Sequence, residues 1–186
     1  MFRNILIPTD GSDLAAKAVE QGILFAKEIG AKITAVTVTE PFHMLSVKPS
    51  QLEYTPIEYR KYSKDHAEKV LGVVSDAAKL ACVVCDTLHV EHEQVYQAII
   101  EAAEARKCDL IVMASHGRRG VSAVVLGSET VKVLTHSKIP CSSIAEGCSW
   151  RSKRQSASPT ALGRHPPPTL IEIETVAAMA LSRFPY

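Results

Sequence analysis

Two short stretches of this chain combine residue types that can do chemistry. Pro8-Thr9-Asp10-Gly11-Ser12 follows an apolar run and sets a carboxylate and two hydroxyls in a glycine-containing turn. Met113-Ala114-Ser115-His116-Gly117 follows a second apolar run and leads through Arg118-Arg119-Gly120 to Gly127-Ser128-Glu129-Thr130. Three of the chain's 9 glycines, Gly117, Gly120 and Gly127, fall in this second stretch, and glycine lets a backbone approach a ligand closely. Gly127-Ser128 stands where a helix should begin. A helix N-terminus offers unpaired N–H groups and a partial positive charge, which suits a phosphate, and a serine hydroxyl adds a donor. Plain turns and helix caps use the same residue types, so a structural role stands beside the phosphate seat. The spacing is not that of a Walker A loop, and the first strand lacks the three glycines of the dinucleotide fingerprint. His116 fits a residue that orders its loop. With no Ser–His–Asp or Cys–His arrangement to assemble, no residue is assigned as catalytic.

The remaining reactive residues group less well. Cys82-Val83-Val84-Cys85 has redox-pair spacing, but it lies where an apolar helix runs into an apolar strand. No second CxxC or paired histidine completes a zinc site, so these thiols are expected to act as small buried hydrophobes. Asp86, His89, Glu91, His92 and Glu93 are metal-like in composition. Along a strand, however, alternate side chains point to opposite faces, and a solvated strand end is the expectation. Cysteine totals 5, an odd number, and Pro8 and Asp10 interrupt Ile5-Leu6-Ile7 too early for a secretion signal. Free thiols in a reducing, cytoplasmic setting follow. Lys+Arg of 21 against Asp+Glu of 20, a net charge of +1, predicts no nucleic-acid partner. No apolar run approaches the roughly 18 residues of a membrane span, so no membrane partner is expected.

The elements that must hold these residues alternate regularly. Phe2 to Pro8 reads as a buried strand, and Ser12 as the N-cap of a helix over Asp13–Ile29 that Gly30 stops. Lys32 to Val38 is a β-branched second strand, ended by Glu40-Pro41. A loop over 41–52 precedes a helix from Pro56 to about Leu80. Cys82–Val90 is strand-like, Gln94–Lys107 helical, Asp109–Met113 a compact strand, Ser128–Thr135 a short helix, and Ile139 opens a last strand. Strands apolar on both faces, separated by helices, predict an α/β fold: a parallel sheet with helices on both faces. In such sheets ligands sit at the carboxyl ends of the strands, where the winding reverses. Both chemistry-bearing stretches stand at strand ends.

At this point the residues resemble a known family. Strand-Pro-Thr-Asp-Gly-Ser early, and Asp-Leu-Ile-Val-Met-Ala-Ser-His-Gly-Arg-Arg-Gly with Leu-Gly-Ser later, are similar to the universal stress protein family over about residues 1–144. The resemblance implies a five-stranded parallel sheet of order 3-2-1-4-5, Rossmann-like and related to the adenine nucleotide alpha hydrolase fold, and a homodimer. It also implies ATP, with any Mg²⁺ carried on the nucleotide, bound through Gly-x2-Gly-x9-Gly-Ser/Thr/Asn. Gly117 and Gly127-Ser128 match the later parts, whereas Ala114 replaces the first glycine, where its methyl is expected to narrow the approach to phosphate or ribose. On this resemblance Asp10 sits near the ribose or the ion, with Pro8 and Thr9 lining the pocket. Val38 offers backbone hydrogen bonds to adenine and Met113 lines the base and sugar. Gly117, Gly127, Ser128 and Glu129 give N–H groups to the phosphates, and Arg118, with Arg119, pairs with phosphate oxygens.

The implied function is a nucleotide-dependent regulatory module of the stress response, with little or no turnover. The alternative is a nucleotide-free universal stress protein acting only through protein contacts, which Ala114 favours. An adenylating ATP pyrophosphatase ranks low because the paired glycines after strand one are missing, and a redox role for Cys82 and Cys85 also remains open. The domain is expected over 1–145. Residues 146–186 hold 5 of the 10 prolines and read as a Pro/Ser-containing tail, with helical spacing at about 170–183. The last strand, Ile139-Pro140-Cys141-Ser142-Ser143-Ile144-Ala145, is interrupted by serines, which predicts a weakened dimer.

Overall fold

Five short strands, the central ones rich in Ile, Leu and Val, pair into one sheet, and the helices between them cover both of its faces. The computed structural model describes residues 1–42, 55–115 and 126–144, all within a compact unit spanning Met1–Ser149. The elements are β1 Asn4–Pro8, α1 Asp13–Ile29, β2 Lys32–Thr39, α2 Pro56–Leu80, β3 Cys85–Glu91, α3 Val95–Ala105, β4 Leu110–Ala114, α4 Ser128–His136 and β5 Cys141–Ile144. The strands lie in the order β3-β2-β1-β4-β5, all parallel. This is the sheet expected from the sequence. The tail over 146–186 and its helical pattern at 170–183 lie outside the described residues.

Strand alternation divides the core into two layers. Ile5 and Ile7 face α1 and α2, packing with Val19, Ile23, Leu71 and Val74. Leu6, between them, faces α3 and α4, packing with Ile99, Ala103, Met113 and Val133. A central strand must therefore be apolar at every position, and Ile5, Leu6 and Ile7 are all 0% exposed. Edge strands meet no such demand: β5 is half-buried throughout, and β3 mixes exposed and half-buried residues with none fully buried. At the amino end of the sheet Asn4 acts as a polar staple. Its amide donates to the Arg106 carbonyl at 2.9 Å and accepts from the Thr34 hydroxyl at 3.1 Å, which keeps buried polar groups paired.

Local signals set the helix ends. Ser12 caps α1 by accepting from the Ala15 N–H, and Gly30 closes it at φ 71, a left-handed position that suits glycine. Thr55 and Glu58 form a reciprocal capping box at the start of α2. The strand expected from Cys82 starts later, at Cys85. Once α2 has ended, Ala81 and Cys82 turn the chain, Cys82 adopting φ 59, and pairing begins only with Ile33 against Cys85. Cys82 is consequently exposed and Cys85 half-buried, which corrects the expectation that both thiols are buried. No helix among the described residues is long and apolar enough to cross a membrane.

Candidate functional site

The winding reverses between β1 and β4, which pair through Ile5 with Leu110 and Leu6 with Ile111. Helices α1 and α2 cover one face and α3 and α4 the other, so a crevice opens beyond the carboxyl ends of these two strands. Pro8, Thr9 and Asp10 border it from β1. Thr9 is buried and firmly held: its N–H donates to the Val36 carbonyl at 2.9 Å, and its carbonyl accepts from the Thr37 hydroxyl at 3.1 Å. Half-buried Asp10 accepts from the Ser12 N–H at 3.0 Å, an Asx turn that orients the carboxylate at the start of α1. The Val36 carbonyl is turned toward β1, so strand alternation turns the backbone polar groups of Val38 to the same side, past the last paired residue of β1.

The opposite wall comes from β4 and α4. Gly127 is the N-cap of α4 and supplies no side-chain cap; its own N–H donates to the Ser115 carbonyl at 2.7 Å. That bond corrects the expected role of Gly127, because its N–H is already engaged. Ser128 and Glu129 form the first turn of α4, the end at which a helix's backbone N–H groups point outward along its axis. Ser128 is exposed and is the first helical residue, not the cap. Two further bonds anchor this end: Ser115 N–H to the Ile144 carbonyl at 2.8 Å, and the buried Thr130 hydroxyl to the Ala114 carbonyl at 3.0 Å. Thr130 has no sequence signal for this role, because its partner lies 16 residues away across a strand–helix junction.

Two expected lining residues face elsewhere. Met113 is 6% exposed and packs in the α3–α4 core layer with Ile99 and Val133. Ala114, one residue on, points to the other face and packs against Leu14, Ala15 and Ala18 of α1. Its methyl therefore fills a contact with α1. The reason is the period of two along β4. Glu129 turns its carboxylate toward α3, where it accepts from the Tyr96 N–H at 2.9 Å. His116, Gly117, Arg118 and Arg119 lie outside the described residues.

The other candidates disperse. Asp86 pairs with Lys32 at 3.5 Å, His89 Nε2 bonds the Thr39 hydroxyl at 2.9 Å, and His92 Nδ1 accepts from the Gln94 N–H at 2.9 Å. Among the described residues no three His, Cys, Asp or Glu side chains gather in a metal-binding group. Burial pushes the thiols of Cys85, Cys108 and Cys141 above their ordinary pKa, the opposite of a reactive thiolate. Two hollows lie beside the crevice. One, of about 590 Å³, is an apolar groove between α1 and α2 that reaches Thr9 and Gly11. The other, of about 270 Å³, sits where Thr39, His89 and Glu91 meet Tyr59 and Arg60 of α2.

The sequence profile of the universal stress protein family matches residues 1–142. The chain belongs to the universal stress protein family. A universal stress protein of Methanocaldococcus jannaschii is 30% identical over 140 residues, covering 75% of this chain and 80% of that protein. Among solved structures, a universal stress protein in complex with cAMP is 24% identical, covers 77% of this chain and 97% of its own, and superposes with a TM-score of 0.56. A family member from Arabidopsis thaliana with AMP bound is 13% identical, covers 76% and 90%, and gives a TM-score of 0.53. At these identities the structures establish the universal stress protein fold, with the strand order described above.

Proposed function

We propose that this universal stress protein binds an adenine nucleotide in the crevice between β1, β4 and the N-terminus of α4. In this reading it acts as a regulatory module whose conformation or partner changes with occupancy and not as a catalyst of turnover. The observation that carries the proposal is the α4 terminus hung from Ser115 and Ala114, which sets its first-turn residues Ser128 and Glu129 beside the carboxyl end of β4. The residues fit the ligand: a helix end for phosphate, a half-buried carboxylate at the ribose side, and backbone groups of Val38 for the base. The relatives solved with cAMP and AMP support the ligand class. Within that class we propose ATP, with Mg²⁺ carried on its phosphates near Asp10, and a cytoplasmic homodimer as the working unit. Such a role needs no acid, base or nucleophile; binding alone suffices.

A second reading, a nucleotide-free protein acting through protein contacts, is favoured by one feature. The Gly127 N–H, an expected phosphate donor, is already spent on Ser115. Mass spectrometry of small molecules released from the purified protein, with calorimetric titration of AMP and Mg-ATP, separates the two. Copurified or titratable adenine nucleotide is the expected result. No released nucleotide and no heat with either ligand overturns the proposal in favour of the second reading.

A further inference from the structure

Helix α3 begins without help from its own sequence. Gln94 makes no side-chain cap bond, and the first turn holds no acidic residue. The missing acceptor comes from α4: Glu129 Oε2 accepts from the Tyr96 N–H at 2.9 Å, across 33 residues. The other carboxylate oxygen pairs with Lys132 Nζ at 2.8 Å, one turn along α4. That ammonium lies 5.3 Å from the centre of the Tyr96 ring, and the His136 ring stands 5.5 Å from the same ring. Glu129, Lys132 and His136, at i, i+3 and i+7, thus grip one residue of α3 along one face of α4. The pairing also holds the Lys132 ammonium charged to higher pH than an ordinary lysine.

Glu129 adjoins Ser128 in the first turn of α4, the turn that the nucleotide reading assigns to the phosphate. A helix is rigid over one turn, so a side chain that fixes the rotation of α4 at Glu129 also fixes where the Ser128 and Glu129 N–H groups aim. We infer that Glu129 is a positioning residue, which caps α3 with its side chain and thereby aims the anion-binding end of α4. This inference rests on the nucleotide reading above for its ligand, but its geometric content stands apart from it. The carboxylate also brings a negative charge close to the phosphate seat, and Lys132 offsets it. Aim and charge therefore have separable consequences.

The test compares Glu129→Ala and Glu129→Gln in the full chain, with AMP and adenosine as probes. Loss of the cap in Glu129→Ala should weaken AMP by about fivefold and leave adenosine within about twofold, because only the phosphate depends on the aim of α4. Glu129→Gln keeps an acceptor for Tyr96 and removes the charge, so it should bind AMP more tightly than Glu129→Ala. Equal weakening of AMP and adenosine, or no change in either, overturns the inference. Amide hydrogen exchange is read in the same proteins without ligand. Exchange at Tyr96 should accelerate in Glu129→Ala and return toward the original rate in Glu129→Gln; unchanged exchange overturns the positioning role. Should the unsubstituted protein bind neither AMP nor adenosine, the nucleotide reading fails, and the exchange result alone decides for or against positioning.

Discussion

Replacing Gly22 by alanine should destabilise this protein, although alanine is the better helix former. Gly22 is buried in the middle of α1 against β1 and β4. A Cβ built there would lie 2.5 Å from Cδ1 of Ile7, 3.4 Å from its Cγ1, and 3.7 Å from Cγ1 of Val112. Ile7 is 0% exposed, so its end methyl can move only by displacing neighbours within the buried core. Overpacking of this kind costs about 1–3 kcal/mol, whereas the helix-propensity gain is about 1 kcal/mol. The net expectation is a loss of about 1 kcal/mol, or about 3 °C in Tm for a domain of this size. Gly72, in α2, supplies the internal control: nothing lies within 4 Å of a Cβ built there. Gly72→Ala should therefore stabilise by up to about 1 kcal/mol from propensity and unfolded-state entropy. Urea unfolding with unchanged m-values measures both. Ile7→Val removes the clashing Cδ1, so on that background Gly22→Ala should turn stabilising. If Gly22→Ala and Gly72→Ala stabilise equally, or Ile7→Val leaves the effect of Gly22→Ala unchanged, the close approach of α1 to β1 is refuted.

Two further outcomes follow from buried polar and thiol groups. Thr130→Val removes the hydroxyl that satisfies the Ala114 carbonyl at the edge of the crevice. It should cost about 1–2 kcal/mol in urea unfolding and weaken AMP binding, and a stability equal to the original protein would remove Thr130 from the anchor. Among the described cysteines, exposed Cys82 should be alkylated first at pH 8, with Cys108 slow because it is 6% exposed and burial raises its pKa. The sign of the linkage is set by the same shift: the folded thiol keeps its proton above the ordinary 9.0, while the unfolded thiol loses it. The unfolded state then binds fewer protons, so the contribution of Cys108 is complete below pH 9 and is lost as pH rises through that value and beyond. Cys108→Ala should flatten the alkaline fall in stability, and an unchanged slope in that variant counts against the assignment.

The order of elements and the parallel sheet were legible in the chain by itself. The reason is that each rests on short-range patterns. Ile5-Leu6-Ile7 and Leu110-Ile111-Val112 are apolar at every position because both faces of a central strand are covered. Ser12 and Gly30 mark the ends of α1 through bonds and dihedrals made within a few residues. The Pro8-Thr9-Asp10 and Gly127-Ser128 stretches reach the same crevice because strand order brings their elements together.

Facts that depend on direction or on a distant partner required the tertiary structure. Met113 and Ala114 are neighbours that face opposite layers, so which of them touches α1 follows from the pairing of β4 and not from either side chain. Cys82 is exposed because α2 ends in a left-handed turn before β3 begins. The Gly127 N–H, free in any reading of a helix start, is taken by a serine carbonyl 12 residues earlier in the chain. Glu129 has the composition of an ordinary first-turn acid, and only the packing of α4 against α3 gives it the Tyr96 amide to cap. Local patterns determine which elements form and in what order; the partners that a buried polar atom finds across 30 or so residues are set when those elements pack, because only then are its competitors excluded from water.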